Sequence, residues 1–194
     1  MAATAFVFDL DGTIWDSYPC YSAALGSALD CGSETFVERL RSGESVVTLG
    51  SGAGVSNSKL VRLCRACIGD LTLYPDVLET LNEMRAANVP LGVVTNVPQR
   101  LVIPLLSDVG INNHFGAVVC AARKPSPSGI LRAAAQLNVQ ADERVFFVGD
   151  SWTDAGAASR AGVSFAWAAY GYGIEPPKEP TLILKTFADL LDQL

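Results

Sequence analysis

The feature that most constrains this chain is a recurrence of short, nearly unbroken apolar runs, each followed by polar residues. Residues 4–8 (Thr-Ala-Phe-Val-Phe) are rich in β-forming side chains and lack the alternation of a half-exposed strand. That is the texture of a strand buried on both faces. It returns at 91–94, 117–120, 145–148 and 163–167, and more weakly at 181–184. Helical patterns lie between these runs. Val77, Leu78, Leu81 and Met84 share one face, and Ser126 reads as an N-cap with Pro127 at the first helical position before Ile130, Leu131, Ala134 and Leu137. A helix over 153–161 ends at Gly162, and Thr186 caps a last helix over 187–193. Pro104 falls inside the pattern 99–109 and is expected to kink that helix or delay its start. The alternation predicts an α/β fold: a Rossmann-like parallel sheet with helices on both faces.

Residues 16–75 break the alternation. They are helix-like and polar in places, with Leu49-Gly-Ser-Gly-Ala-Gly-Val55 read as a flexible turn in their middle. The expected organisation is a core of residues 1–15 and 76–194 with a small helical insertion, 16–75, after the first strand.

Open parallel sheets bind ligands at the carboxyl ends of their strands. Read as a set, the residues there are Asp9-Leu-Asp11-Gly12-Thr13, then Thr95-Asn96, then Arg123-Lys124-Pro125, then Gly149-Asp150-Ser-Trp-Thr-Asp154. One edge thus gathers four carboxylates, a hydroxyl and an amine. Clustered carboxylates repel one another and would repel a phosphate dianion. A hard divalent cation removes both problems, and Mg²⁺ favours a few carboxylates, waters and a phosphate oxygen. Phosphoryl transfer asks a protein mainly for positioning and charge compensation, which Lys124 and a cation supply.

These four motifs, in this order, resemble the haloacid dehalogenase superfamily over nearly the whole chain. Val94-Thr-Asn96, Lys124-Pro125, Gly149-Asp-Ser151 and Ala169-Tyr-Gly-Tyr-Gly173 are most similar to its phosphoglycolate phosphatase-like branch. The resemblance implies a Mg²⁺-dependent phosphatase acting on small phosphate monoesters through an aspartyl-phosphate. Asp9 is then the nucleophile and Asp11 the general acid and base. Thr95 holds a phosphoryl oxygen, Lys124 links nucleophile and phosphoryl group, and Asn96, Gly12 and Thr13 serve the substrate phosphate. The metal falls to Asp9, Asp150, the backbone carbonyl of Asp11, and Asp154 directly or through water. The insertion becomes a cap, short for its branch, with Asp16-Ser17 opening its hinge and Leu73-Tyr74-Pro75 closing it. Arg39, Arg41, Lys59, Arg62 and Ser51 are its candidates for contacts with the leaving group. Two other readings stay open: a phosphomutase of the β-phosphoglucomutase type, and a non-catalytic binding protein on the same fold. A dehalogenase has no need of an acid at position 11.

Composition bounds the partners. The formal net charge is −6, from 14 Lys and Arg against 20 Asp and Glu, which argues against nucleic acid or an anionic membrane as the main partner. No signal peptide or membrane span is read, so a cytoplasmic protein with a small phosphorylated metabolite as partner is expected. The five cysteines form no regular framework and read as free thiols, with Cys64 and Cys67 on a buried helical face. His114 reads as a hydrogen-bonded loop residue. Phe165, Trp167, Tyr170 and Tyr172 read as packing residues alternating along a strand.

Overall fold

The computed structural model describes residues 3–41, 44–173 and 180–194. The chain opens with strand β1 (Ala5–Phe8), whose polar continuation turns sharply: the N–H groups of Thr13, Ile14 and Trp15 all point back to the Leu10 carbonyl. A two-residue strand β2 (Trp15–Asp16) then leads into helices α1 (Tyr18–Leu29), α2 (Glu34–Arg41), α3 (Val46–Gly52) and α4 (Asn57–Ala66). The chain returns through β3 (Thr72–Leu73), which pairs antiparallel with β2. From there strands and helices alternate: α5 (Val77–Ala86), β4 (Leu91–Val94), α6 (Gln99–Val109), β5 (Ala117–Val119), α7 (Ser128–Gln136), β6 (Val145–Gly149), α8 (Trp152–Ala161), β7 (Ser164–Ala168) and β8 (Leu182–Leu184). A 3-10 helix, Phe187–Gln193, closes the chain.

The sheet is parallel throughout the described residues, in the order β5-β4-β1-β6-β7-β8. The order runs outward from β1 in both directions, so the topological reversal, where such sheets bind ligands, lies at the strand that ends in Asp9. Alternate side chains of β1 serve opposite faces. Ala5 and Val7 join Ile130, Ala133, Phe147, Ala157 and Ala158 beneath α7 and α8. Phe6 and Phe8 join Val77, Leu81, Leu101, Leu105 and Phe187 beneath α5, α6 and the terminal 3-10 helix. That second cluster runs on into Tyr21, Leu25, Leu60 and Cys64 of the helical segment. The bidentate Arg65–Asp108 pair (2.6 and 2.9 Å) joins α4 to α6 on the surface.

Several elements depart from the sequence expectation. The glycine-rich stretch 49–52 is helical: Ser45 caps α3 by accepting the Thr48 N–H (3.0 Å), and the helix buries Val46 and Leu49. Helix α6 starts at Gln99 without delay and holds Pro104 inside it; four buried leucine and valine side chains (101, 102, 105 and 106) offset the lost backbone bond, which costs ~3 kcal/mol. Helix α7 begins one residue later than expected, after Pro127, while Ser126 Oγ accepts the Ser128 N–H (3.4 Å) as a capping oxygen does and also pairs with the Ser128 hydroxyl (3.0 Å). Leu78 and Leu131 face solvent, and Tyr170 and Tyr172 lie beyond the end of β7. The last turn is 3-10 rather than α, although Thr186 caps it as expected, in a reciprocal box with Asp189. Cys64 is buried in α4, while Cys67 is its half-buried C-cap. His114 bonds Asn82 (2.9 Å) at a loop, as read.

A 3-10 turn this short has little stability of its own and is held by what it packs against. Phe187 provides that packing, with its ring 5.4 Å from Phe8. Replacing Phe187 with Ala is expected to lower unfolding stability by about 3–5 kcal/mol in urea titrations, whereas exposed Leu131→Ala should cost under about 1 kcal/mol.

Candidate active site

Each motif at the sheet edge is placed by the end of a strand. Asp9 leaves β1 with its N–H still bonded to the Val148 carbonyl of β6 (2.8 Å), which sets the carboxylate just past the buried edge. Lys124 is reached by the loop after β5. Its backbone N–H donates to Asn96 Oδ1 (2.7 Å), and its ammonium lies over the Phe147 ring, 5.6 Å from the centroid. That ammonium is shared between Asp9 Oδ1 (2.5 Å) and Asp154 Oδ1 (2.6 Å). Asp154 is the third residue of α8 and fully buried. Its Oδ2 accepts the N–H (3.0 Å) and hydroxyl (2.5 Å) of Ser151, so the helix cap and the ion pair use different oxygens of one carboxylate. Asp150 ends β6, and its Oδ2 accepts the N–H of Tyr172 (2.8 Å).

Asp9, Asp150 and Asp154 bring one oxygen each within 4.8 Å of one another. Three buried carboxylates against one ammonium leave an excess of negative charge away from water. Burial holds the Asp9 carboxyl well above its usual range; Lys124 opposes this, and Asp154, Asp150 and Asp11 add to it. Burial, then Asp154, pushes Asp150 up to about 7. Burial alone would pull Lys124 down, but Asp154 and Asp9 outweigh it and keep the ammonium charged. A set of hard oxygen donors with surplus charge and a gap of this size fits a divalent cation.

Asp11 stands apart from that trio. Its Oδ1 accepts the Trp15 indole N–H (2.8 Å) and the Tyr21 hydroxyl (3.1 Å), which fixes the carboxyl group by one oxygen and leaves Oδ2 to face other partners. Gly12 adopts φ +80°, and a Cβ there would collide with the Asp150 carboxylate and the Tyr172 ring, so no larger residue fits. The Thr13 hydroxyl is fully buried and has no hydrogen-bond partner among the described residues. Thr95 is buried and its Oγ1 accepts the Val97 N–H (3.1 Å), which leaves its own proton to donate. Asn96 Oδ1 accepts the Lys124 backbone N–H (2.7 Å), which leaves its amide NH2 as the group it can offer to a phosphate oxygen.

The leaving-group candidates of the helical segment are largely committed. Arg39 pairs with Glu44 (2.7 Å), Lys59 Nζ donates to the Ala28 carbonyl (3.2 Å), and Ser51 donates to the Thr48 carbonyl (3.1 Å). Arg62 is exposed, and the side chain of Arg41 lies outside what the structure describes. Of the residues that do reach the site, Trp15 and Tyr21 carry no motif in the sequence, whereas Ser151 and Tyr172 enter it only as members of the Gly149-Asp-Ser151 and Ala169-Tyr-Gly-Tyr-Gly173 runs, without a role of their own. The spacing of four between Asp11 and Trp15 is the only other signal.

Comparison with known proteins agrees with this geometry. The family model for haloacid dehalogenase-like hydrolases matches residues 3–162. The chain is 31% identical to a phosphoglycolate phosphatase of Pectobacterium atrosepticum, across 98% of this chain and 92% of that protein. It is also 31% identical to phosphoglycolate phosphatase 1 of Pseudomonas aeruginosa, across 95% and 77%. Among solved structures, one described as a predicted phosphoglycolate phosphatase from Haemophilus somnus superposes with a TM-score of 0.74 at 27% identity, covering 98% and 97% of the two chains. A HAD-superfamily hydrolase from Geobacter sulfurreducens shares the fold (TM-score 0.74, 20% identity, 98% and 95% covered). With the motifs, the topology and the family match in accord, the chain belongs to the haloacid dehalogenase-like hydrolases.

Proposed function

We propose that this phosphatase hydrolyses small phosphate monoesters, phosphoglycolate or sugar phosphates, with Mg²⁺ in the site and the phosphoryl group carried on Asp9. The carrying observation is the Asp9 carboxylate fixed by Lys124 beside two further buried carboxylates, with an independently held carboxyl group, Asp11, two residues on. The residues that would hold Mg²⁺ are Asp9 and Asp150 by their carboxylates, Asp11 by its backbone carbonyl, and Asp154 directly or through water. When bound, the cation supplies charge compensation for nucleophile and phosphate together.

The protein's own groups then divide the work. A carboxylate oxygen of Asp9 attacks phosphorus, and the bond from phosphorus to the ester oxygen breaks. Asp11 delivers a proton to that oxygen, so the alcohol leaves neutral. Trp15 and Tyr21 both donate to Asp11 Oδ1, which leaves Oδ2 to carry the proton and fixes where it points. In the second half, the Asp11 carboxylate takes a proton from water, and the resulting attack on phosphorus releases inorganic phosphate and restores Asp9. Lys124 keeps two of the carboxylates compensated throughout, and Thr95 offers its hydroxyl proton to a phosphoryl oxygen. The helical segment 16–75 serves as the cap. No helix among the described residues is long and apolar enough to cross a membrane, and a cytoplasmic location accords with a metabolite substrate.

Hydrolysis of p-nitrophenyl phosphate and a panel of small phosphoesters, with Mg²⁺ and again with EDTA, tests the reading. Phosphate release is expected only with the metal. A panel without turnover under either condition would sink the phosphatase assignment. Asp9→Asn is expected to reduce turnover to background with the circular dichroism unchanged, and substantial residual activity removes it as nucleophile. Asp11→Asn is expected to slow turnover by about 10²–10⁴-fold, with both the burst and the steady state affected in rapid quench. A wild-type rate in that variant would mean another group moves the protons.

A further inference from the structure

Tyr172 takes no part in the reaction above, yet three parts of the site meet on it. Its backbone N–H donates to Asp150 Oδ2 (2.8 Å). Its ring fills the space a side chain on Gly12 would need, and so presses on the loop that carries the nucleophile. Its hydroxyl donates to Asp16 Oδ1 (2.8 Å) and accepts the Ser17 N–H (2.7 Å). Asp16 and Ser17 are where the chain leaves the core for the helical segment. The ring also stacks on Tyr18, with centroids 3.6 Å and planes 9° apart. Tyr18 in turn donates its hydroxyl to the Leu40 carbonyl of α2 (2.9 Å). A continuous run of contacts therefore joins α2, the exit from the core and one carboxylate of the candidate metal trio.

The loop holding Tyr172 has no slack. A Cβ on Gly171 would strike the Gly12 carbonyl and the Asp150 side chain, and one on Gly173 would strike the Asp150 carbonyl. The Trp167 indole N–H adds a bond to that same carbonyl (3.1 Å). Backbone packed this closely cannot shift without carrying the Asp150 carboxylate along, or else surrendering the bond from the Tyr172 N–H. Partners that orient a metal-binding carboxylate also set its affinity, because the carboxylate must otherwise be ordered as the ion binds.

We propose that Tyr172 is a positioning residue that ties the orientation of Asp150, and with it the affinity of the metal site, to the placement of the helical segment over the core. The proposal rests on the reading of Asp150 as a metal ligand. In this arrangement the ion binds best when the cap is seated, so substrate closure and metal retention support each other through one side chain.

The test uses full-length protein and Mn²⁺ as the probe, followed by electron paramagnetic resonance. Tyr172→Phe keeps the ring stack and the backbone N–H and removes only the hydroxyl. Amide exchange at Ser17, which donates to that hydroxyl, is expected to accelerate, and the Mn²⁺ dissociation constant to rise on the order of tenfold. Saturating metal should restore kcat while the metal concentration for half activation stays raised. Tyr18→Phe, which cuts only the distant link to Leu40, should move the Mn²⁺ constant the same way by less, and serves if the first variant folds poorly. Faster Ser17 exchange with unchanged Mn²⁺ affinity in these variants overturns the proposal while leaving the metal reading in place. Wild-type protein that binds no Mn²⁺, or Asp150→Asn that binds it as wild type does, overturns the metal reading and the proposal together.

Discussion

Lys124 places its ammonium between Asp9 and Asp154 at a point nearly closed to water, and much of the architecture follows from what that contact demands. Burying an ion costs several kcal/mol even after relaxation, so each buried charge needs its remaining valences met by fixed partners. Asp154 meets this requirement through the N-terminal cap of α8, and Lys124 through its two carboxylates and the Phe147 face, while backbone bonds from Lys124 to Asn96 and from Asp9 to Val148 hold the two charged groups in place. Removing Lys124 or either carboxylate leaves an uncompensated charge, not merely a missing contact. The surplus negative charge that remains is what a divalent cation would compensate.

Those four strand-end motifs were legible because each is local. An apolar β-rich run gives the strand, the turn chemistry that follows gives its end, and the carboxylate or amine sits in that turn. The parallel order was legible for the same reason, since alternation with helices admits few arrangements. The rest depends on distances across the chain. Nothing near residue 172 announces that its hydroxyl meets Ser17, 155 residues earlier. Asn96 was read as facing phosphate because the loop brings it to the right edge; which of its atoms is spent on Lys124 is decided by a residue 28 positions away. Gly50 misled for another reason. Glycine weakens an isolated helix, but the Ser45 cap and the burial of Val46 and Leu49 hold this one.

The groups that the helical segment and its entry strand bring to Asp11 are an indole and a phenol, not charges. Arg39 and Lys59, which an anionic leaving group would otherwise recruit, are bonded to neighbours within the segment. The segment and its entry strand thus orient Asp11 without altering the net charge of the site, and charge compensation among the described residues falls to Lys124.

The two-residue ribbon of β2 and β3 has a consequence for how the chain assembles. Trp15 and Leu73 are cross-strand partners, and the Tyr74 N–H reaches the Ile14 carbonyl (3.1 Å). Once these few bonds form, the intervening residues are closed off by a neck at their base before α4 docks on α6 through Arg65 and Asp108. The central pairing of β1 with β4 then spans a short effective loop instead of the full stretch of sequence between them. The entropy of closing that loop is set by the neck and not by the length of what hangs from it. Helices can therefore be lengthened, trimmed or exchanged beyond the neck with little effect on how fast the sheet finds its order.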